Sequence, residues 1–344
     1  MNPRIEKRQT RRRKWRLFSL LVGLLLFILV IQGSGSRSTL DALLQIDGRY
    51  LLLSCTAFVV ASLIRIAKWH MMQSYLDLSL SFGETSRVYF DTRVGGLVTP
   101  LRGGEVVPAL LSRYKSELLS ITLFDRAAEG FRMLVVVLVV LVSLSQHDTL
   151  VSLQSAFYAT VIFFVLFVLL LTDRRVPLWF LKKIGWCLDR VKIGKLGQWI
   201  GAWMHRLTNG IDRFYDSVRV LWTPGRSLLL LAMTFMAWFF DIFMNLFIFY
   251  AVGFPLPIGA VIICVVLFSA SNFIAPTPSG LGVGDLVLVT IVNSLGYEGN
   301  PGPFLIVSRS LVVALTFAGY FVCHGATLLL GRGSDVGRAT SSRD

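Results

Sequence analysis

The sequence predicts an all-α polytopic membrane protein, with about six full transmembrane helices and two Gly/Pro-broken re-entrant segments arranged as an inverted repeat. Three observations predict it. Of the 344 residues, 54% are hydrophobic and only 16% charged, and the mean hydropathy of +0.67 is far above that of soluble domains. Six apolar runs reach the roughly 20 residues that cross a hydrocarbon core about 30 Å thick. The positive charge, 34 Lys plus Arg against 20 Asp plus Glu, is concentrated in two blocks instead of covering a surface, which excludes a nucleic-acid binder.

The first block, residues 1–16, has eight basic side chains and one acid and reads as a cytoplasmic N-terminus. The run Trp15 to Gln32 follows it. Because Gly33-Ser34-Gly35-Ser36-Arg37 offers no clean small-x-small cleavage site, this run is expected to be an uncleaved signal-anchor helix opening a first membrane half, 17–172. The next span is Tyr50 to Trp69, where Arg65 and Lys68 near the helix end are expected to snorkel. Val88 to Leu111 is apolar but interrupted by Gly and Pro, so 88–111 is the first broken segment. Leu118 to Ser145 and Leu150 to Thr172 complete this half.

The second basic block, 173–226, has eleven basic and four acidic residues, so the two blocks together account for the whole net charge of +14. Leu196, Ile200, Trp203, Leu207, Ile211, Phe214 and Val218 recur there at helical spacing, with Arg206, Arg213 and Arg219 between them. Such a helix lies along anionic lipid at the cytoplasmic face, or packs as a hairpin on the protein itself. The second membrane half, 227–331, contains Ser227 to Val252, a second broken segment over 258–295, and Phe304 to Gly331. The tail, 332–344, carries Arg332, Arg338 and Arg343. Both basic blocks belong on one side, which the excess of Lys and Arg makes cytoplasmic. Cys55, Cys187, Cys264 and Cys323 show no CxxC spacing and read as packing residues.

No GxSxG, HExxH or GxxxxGK[ST] motif occurs, so neither a hydrolase, metal nor nucleotide site is expected, and no cofactor. What stands out is a pair of similar breaks: Thr99-Pro100-Leu101-Arg102-Gly103-Gly104-Glu105 and Thr277-Pro278-Ser279-Gly280-Leu281-Gly282-Val283-Gly284-Asp285. Each runs Thr-Pro, then glycines, then an acid. Arg126 follows Glu105 by 21 residues and Arg309 follows Asp285 by 24. With the N-terminus inside, the two breaks enter from opposite faces, and half-helices of that kind meet near the midplane around a binding site. Their N–H groups and positive dipole ends suit a phosphate. Arg102, Arg126 and Arg309, with Thr99, Gly103, Gly104, Gly280 and Gly282, are therefore the candidate lipid-headgroup contacts. Glu105, Asp285, Glu129 and Asp241 are the candidates for charge balance or proton coupling, and Glu129 can reach Arg126 or Arg132 one turn away. The alternative is that these charges, with Asp125, are structural ion pairs between bundled helices.

At these residues the chain resembles the membrane-region family of lysylphosphatidylglycerol synthases, a flippase-like domain. The likeness rests on Arg65 to Trp69, on Thr99 to Glu105, on Asp125-Arg126 with Glu129, and on Pro278 to Asp285 followed by Arg309. It departs in Ser279, where the family has Gly, and in Asp285, where it has Glu. The resemblance implies a stand-alone member without the aminoacyltransferase or glycosyltransferase domain. It implies translocation of an aminoacylated, glycosylated or polyprenyl-phosphate-linked lipid in a prokaryotic plasma membrane, with no enzymatic activity carried over. Two rivals stay open: a non-transporting subunit that recruits a glycosyltransferase or lipid-modifying enzyme, and an integral membrane transferase on polyprenyl phosphate with Glu105 or Asp285 as general base.

Overall fold

The computed structural model describes residues 41, 43–99, 103–112, 114–144, 212–274, 277, 280–297 and 300–329. The predicted spans Trp15 to Gln32 and Leu150 to Thr172, the N-terminal basic block, Arg102, most of the 173–226 connection and the tail lie outside them. Among the described residues all regular structure is helical. In chain order the helices are α1 (Gly48–Tyr75), α2 (Phe82–Val98), a 3-10 turn (Gly103–Val106), α3 (Val107–Leu111), α4 (Lys115–Leu144), α5 (Pro224–Ala251), α6 (Ile258–Ile274), α7 (Val283–Ser294) and α8 (Gly302–Leu329). A helical segment over 212–221 precedes α5.

Among the described residues α1, α5 and α8 are long and apolar enough to cross a membrane. They leave large apolar side chains outside: Leu52 on α1, Leu228 on α5 and Val322 on α8 are 68%, 70% and 70% exposed. Large exposed apolar side chains on such long helices fit a lipid-facing surface. By contrast, α6 and α7 have 17 and 12 residues, about 25 and 18 Å at 1.5 Å per residue, so each falls short of the hydrocarbon thickness.

The chain divides into two compact units. One comprises Met1–Ile66, Leu80–Val107 and Phe239–Asp344. Within it the start of α1 runs antiparallel to the end of α5: Tyr50 and Tyr250 stack with centroids 5.4 Å apart, and Ser54 Oγ donates to the Met244 carbonyl at 3.1 Å. Phe249 of α5 stacks on Phe304 of α8 at 3.7 Å. The other unit comprises Ala67–Ser79 and Pro108–Trp238. Here α4 packs on the segment before α5, with Ser120 Oγ donating to the Phe214 carbonyl at 3.2 Å and Phe124 edge-on to Trp222 at 5.5 Å. Leu118, Ile121 and Leu221 are buried.

The helix that leads into the first break starts at Phe82. Ser81 and Glu84 form a capping box: Glu84 N–H donates to Ser81 Oγ at 3.3 Å and Ser81 N–H to Glu84 Oε2 at 2.8 Å, which starts α2 at Phe82. Hydropathy does not report this start, because the capping residues are polar. Replacing Ser81 by Ala should lower the unfolding free energy by about 1 kcal/mol, read by chemical denaturation in detergent micelles.

Candidate functional site

The second break is the better defined. Gly280 and Gly282 take φ of +68° and +82°, a left-handed backbone that glycine adopts without the penalty a Cβ incurs. The turn is closed by Gly280 N–H to the Thr277 carbonyl at 3.1 Å and by Thr277 Oγ1 to the Leu281 carbonyl at 2.9 Å. It delivers the chain into α7. There Asp285, wholly buried, divides its carboxylate: Oδ2 accepts from Gly282 N–H at 2.8 Å, and Oδ1 accepts from Arg309 Nε and Nη2 at 3.0 and 2.9 Å. Arg309 Nη2 lies 3.5 Å from the Gly280 carbonyl, and its guanidinium carbon sits 4.7 Å from the Phe268 ring centroid. The sequence spacing of Asp285 and Arg309 was legible; the cation–π partner Phe268 is one apolar residue in an apolar run, and no sequence signal marks it.

In the first break Thr99 ends α2 in an extended conformation immediately before Pro100, where the proline ring disfavours a helix. Its hydroxyl donates to the Gly95 carbonyl at 2.8 Å and accepts from Gly104 N–H at 2.6 Å, tying the helix end to the 3-10 turn. Gly95 and Gly104 pack backbone to backbone. Glu105 is 3% exposed, and a Cβ on Gly96 would come within 2.5 Å of its Oε1. Gly103 has open space beside it.

Thr99, Gly103, Gly104, Glu105, Gly280, Gly282, Asp285 and Arg309 belong to the first unit, and Arg126 and Glu129 to the second. Arg126 forms an ion pair with Glu129 on the same face of α4, as the three-residue spacing predicts. Arg132 lies over the Trp238 ring, 5.5 Å from its centroid. Asp241 is held by Arg65 from α1, an inter-helix ion pair, and Asn245 donates to the Asp241 carbonyl within α5 at 2.7 Å.

The expectation that Arg65 and Lys68 snorkel is corrected. Lys68 is 2% exposed, pairs with Asp125 of α4 and donates to Thr234 Oγ1 at 3.0 Å, while Trp69 Nε1 donates to the other Asp125 oxygen at 3.1 Å. A buried ammonium needs a counter-charge more than a wet headgroup, and Asp125 supplies it. Among the described residues, then, Lys68–Asp125 and Arg65–Asp241 are ion pairs between helices.

The pairing of a Gly-rich break with an acid and a later arginine is repeated across the chain, and residues 16–319 match the family model of the lysylphosphatidylglycerol synthase TM region. The chain belongs to that family. The lysylphosphatidylglycerol synthase TM region match spans both breaks, the α4 charges and Arg309, and ends within α8. No curated protein and no solved structure matches at a significant level. Membership in this family, with its apolar helices, makes the protein a multi-pass membrane protein associated with lipid.

Proposed function

We propose that this protein moves an anionic, aminoacylated or glycosylated lipid, including one linked to polyprenyl phosphate, between the leaflets of a prokaryotic plasma membrane, with its N-terminus in the cytoplasm. The candidate headgroup contacts are Arg102, Arg126 and Arg309, with Thr99, Gly103, Gly104, Gly280 and Gly282. Glu105, Asp285, Glu129 and Asp241 balance charge or carry a coupling proton; Asp285 pairs with Arg309, Glu129 with Arg126 and Asp241 with Arg65. The observation that carries this reading is Arg309 held at the glycine-built start of α7, a helix too short to span. A guanidinium and a helix N-terminus there present donors and positive potential together. The concentration of Lys and Arg in 1–16 and 173–226 supports the orientation.

The test is the purified protein in vesicles carrying a fluorescent phosphatidylglycerol, with inward and outward populations resolved by quenching. Arg309→Lys preserves the charge facing Asp285 but loses the planar fork. Its exchange rate should fall about 10-fold or more, as losing one charge-assisted hydrogen bond implies, with little change in thermal stability. A wild-type rate in Arg309→Lys and Arg126→Lys would sink the site assignment. Normal rates there, together with loss of cellular function on charge reversal in 173–226, would support the recruiting subunit instead.

A further inference from the structure

α2 and α8 meet so closely that a Cβ on Gly319 would run into the Phe90 ring. The same contact holds three ionisable side chains outside both breaks. Arg87 Nε donates to His324 Nε2 at 3.1 Å, and Asp91 Oδ1 lies 3.4 Å from that same nitrogen. The other ring nitrogen, Nδ1, lies 2.9 Å from the Tyr320 carbonyl, and the imidazole stacks on the Tyr320 ring at 4.1 Å. Arg87 and Asp91 stand four residues apart on one face of α2.

An arginine N–H only donates, so the nitrogen it meets presents a lone pair. The Arg87 contact requires a neutral ring with its proton on Nδ1, facing the Tyr320 carbonyl. A second proton, added at Nε2, removes the acceptor from Arg87 and places a like charge beside it. The same proton gives Asp91 a donor. One proton thus exchanges the residue of α2 that holds α8, from Arg87 to Asp91, about 6 Å further along the helix toward the first break.

We propose that Arg87, Asp91 and His324 form a proton-binding site that sets how α2 packs on α8. Arg87 and Asp91 face the imidazole from α2 and Tyr320 from its own helix, and the Cys323 thiol lies near Asp91. His324 lies beyond the family-matched residues, and the site is separate from the carboxylates that balance the arginines. Coupling of this proton to lipid movement rests on the translocase reading; the protonation itself does not.

Hydrogen–deuterium exchange of the full-length protein in detergent micelles tests it, read by mass spectrometry between about pH 5 and 8, the range over which imidazole titrates. After correction for intrinsic exchange, residues 82–98 of the wild type should change protection in one single-proton transition. His324→Gln should abolish that transition, and His70→Gln, outside the cluster, should retain it. Asp91→Asn and Arg87→Gln should move it in opposite directions. Because these two shifts are opposite in sign, they decide the matter even where His324→Gln folds poorly. A flat wild-type profile, a transition that survives in His324→Gln, or shifts of the same sign in the two charge variants overturns the proposal. Lipid transport is not read in this measurement, so failure of the translocase reading leaves its outcome intact.

Discussion

Replacing Lys68 by Met should lower the unfolding free energy by about 3–5 kcal/mol, the loss expected when one member of a buried ion pair is removed. Lys68 and Asp125 are 2% and 4% exposed, so neither water nor a lipid headgroup can take over the abandoned carboxylate. Asp125 retains the Trp69 indole N–H at 3.1 Å, a neutral donor that offsets only part of a full negative charge. The double replacement Lys68→Met with Asp125→Leu should recover most of the loss, because an apolar pair of similar volume replaces the ions without leaving either uncompensated. Chemical denaturation of the four proteins in one detergent gives the double-mutant cycle. A single-mutant loss under about 1 kcal/mol, the size found for exposed pairs, would mean that Lys68 reaches solvent after all.

The second large effect is expected at Gly95. A Cβ there would lie 2.9 Å from the Gly104 carbonyl carbon and closer still to its oxygen, and the converse substitution at Gly104 meets the Gly95 carbonyl. Both obstacles are backbone, so no rotamer change relieves them. Gly95→Ala should therefore push the 3-10 turn off the end of α2 and destabilise the protein by about 3 kcal/mol, the upper end of ordinary overpacking. Gly103→Ala, in open space beside the same turn, is the control and should change stability by less than about 0.5 kcal/mol. Equal losses at 95 and 103 would show that glycine flexibility, not close approach, is what the turn requires.

Hydropathy was enough to locate α1, α5 and α8, since burial in lipid demands a long apolar run and nothing else mimics one. The breaks were legible because Pro100 and the glycines at 280 and 282 announce a backbone that cannot remain helical. Local spacing also reported the Arg126–Glu129 pair. The partners of Lys68 and Arg65 were not legible: Asp125 and Asp241 lie 57 and 176 residues further on, and no periodicity links charges brought together only by helix packing. His324 looked like one of four scattered histidines for the same reason, its partners on α2 being 237 and 233 residues away. Ser81 was missed because a cap is a polar signal in front of an apolar run.

The divided carboxylate of Asp285 bears on speed. One oxygen holds the start of α7 and the other holds Arg309, so the two tasks are separable. Under the translocase reading, Arg309 turns to a phosphate while Oδ2 still secures Gly282, so the helix need not fray to release the arginine. Exchange of partners is then a side-chain movement at a fixed cap, whereas a cap that had to break would tie it to local unfolding on the scale of microseconds to seconds. Under the translocase reading, headgroup capture at this break is fast, and the slow step of turnover lies in the movement of helices.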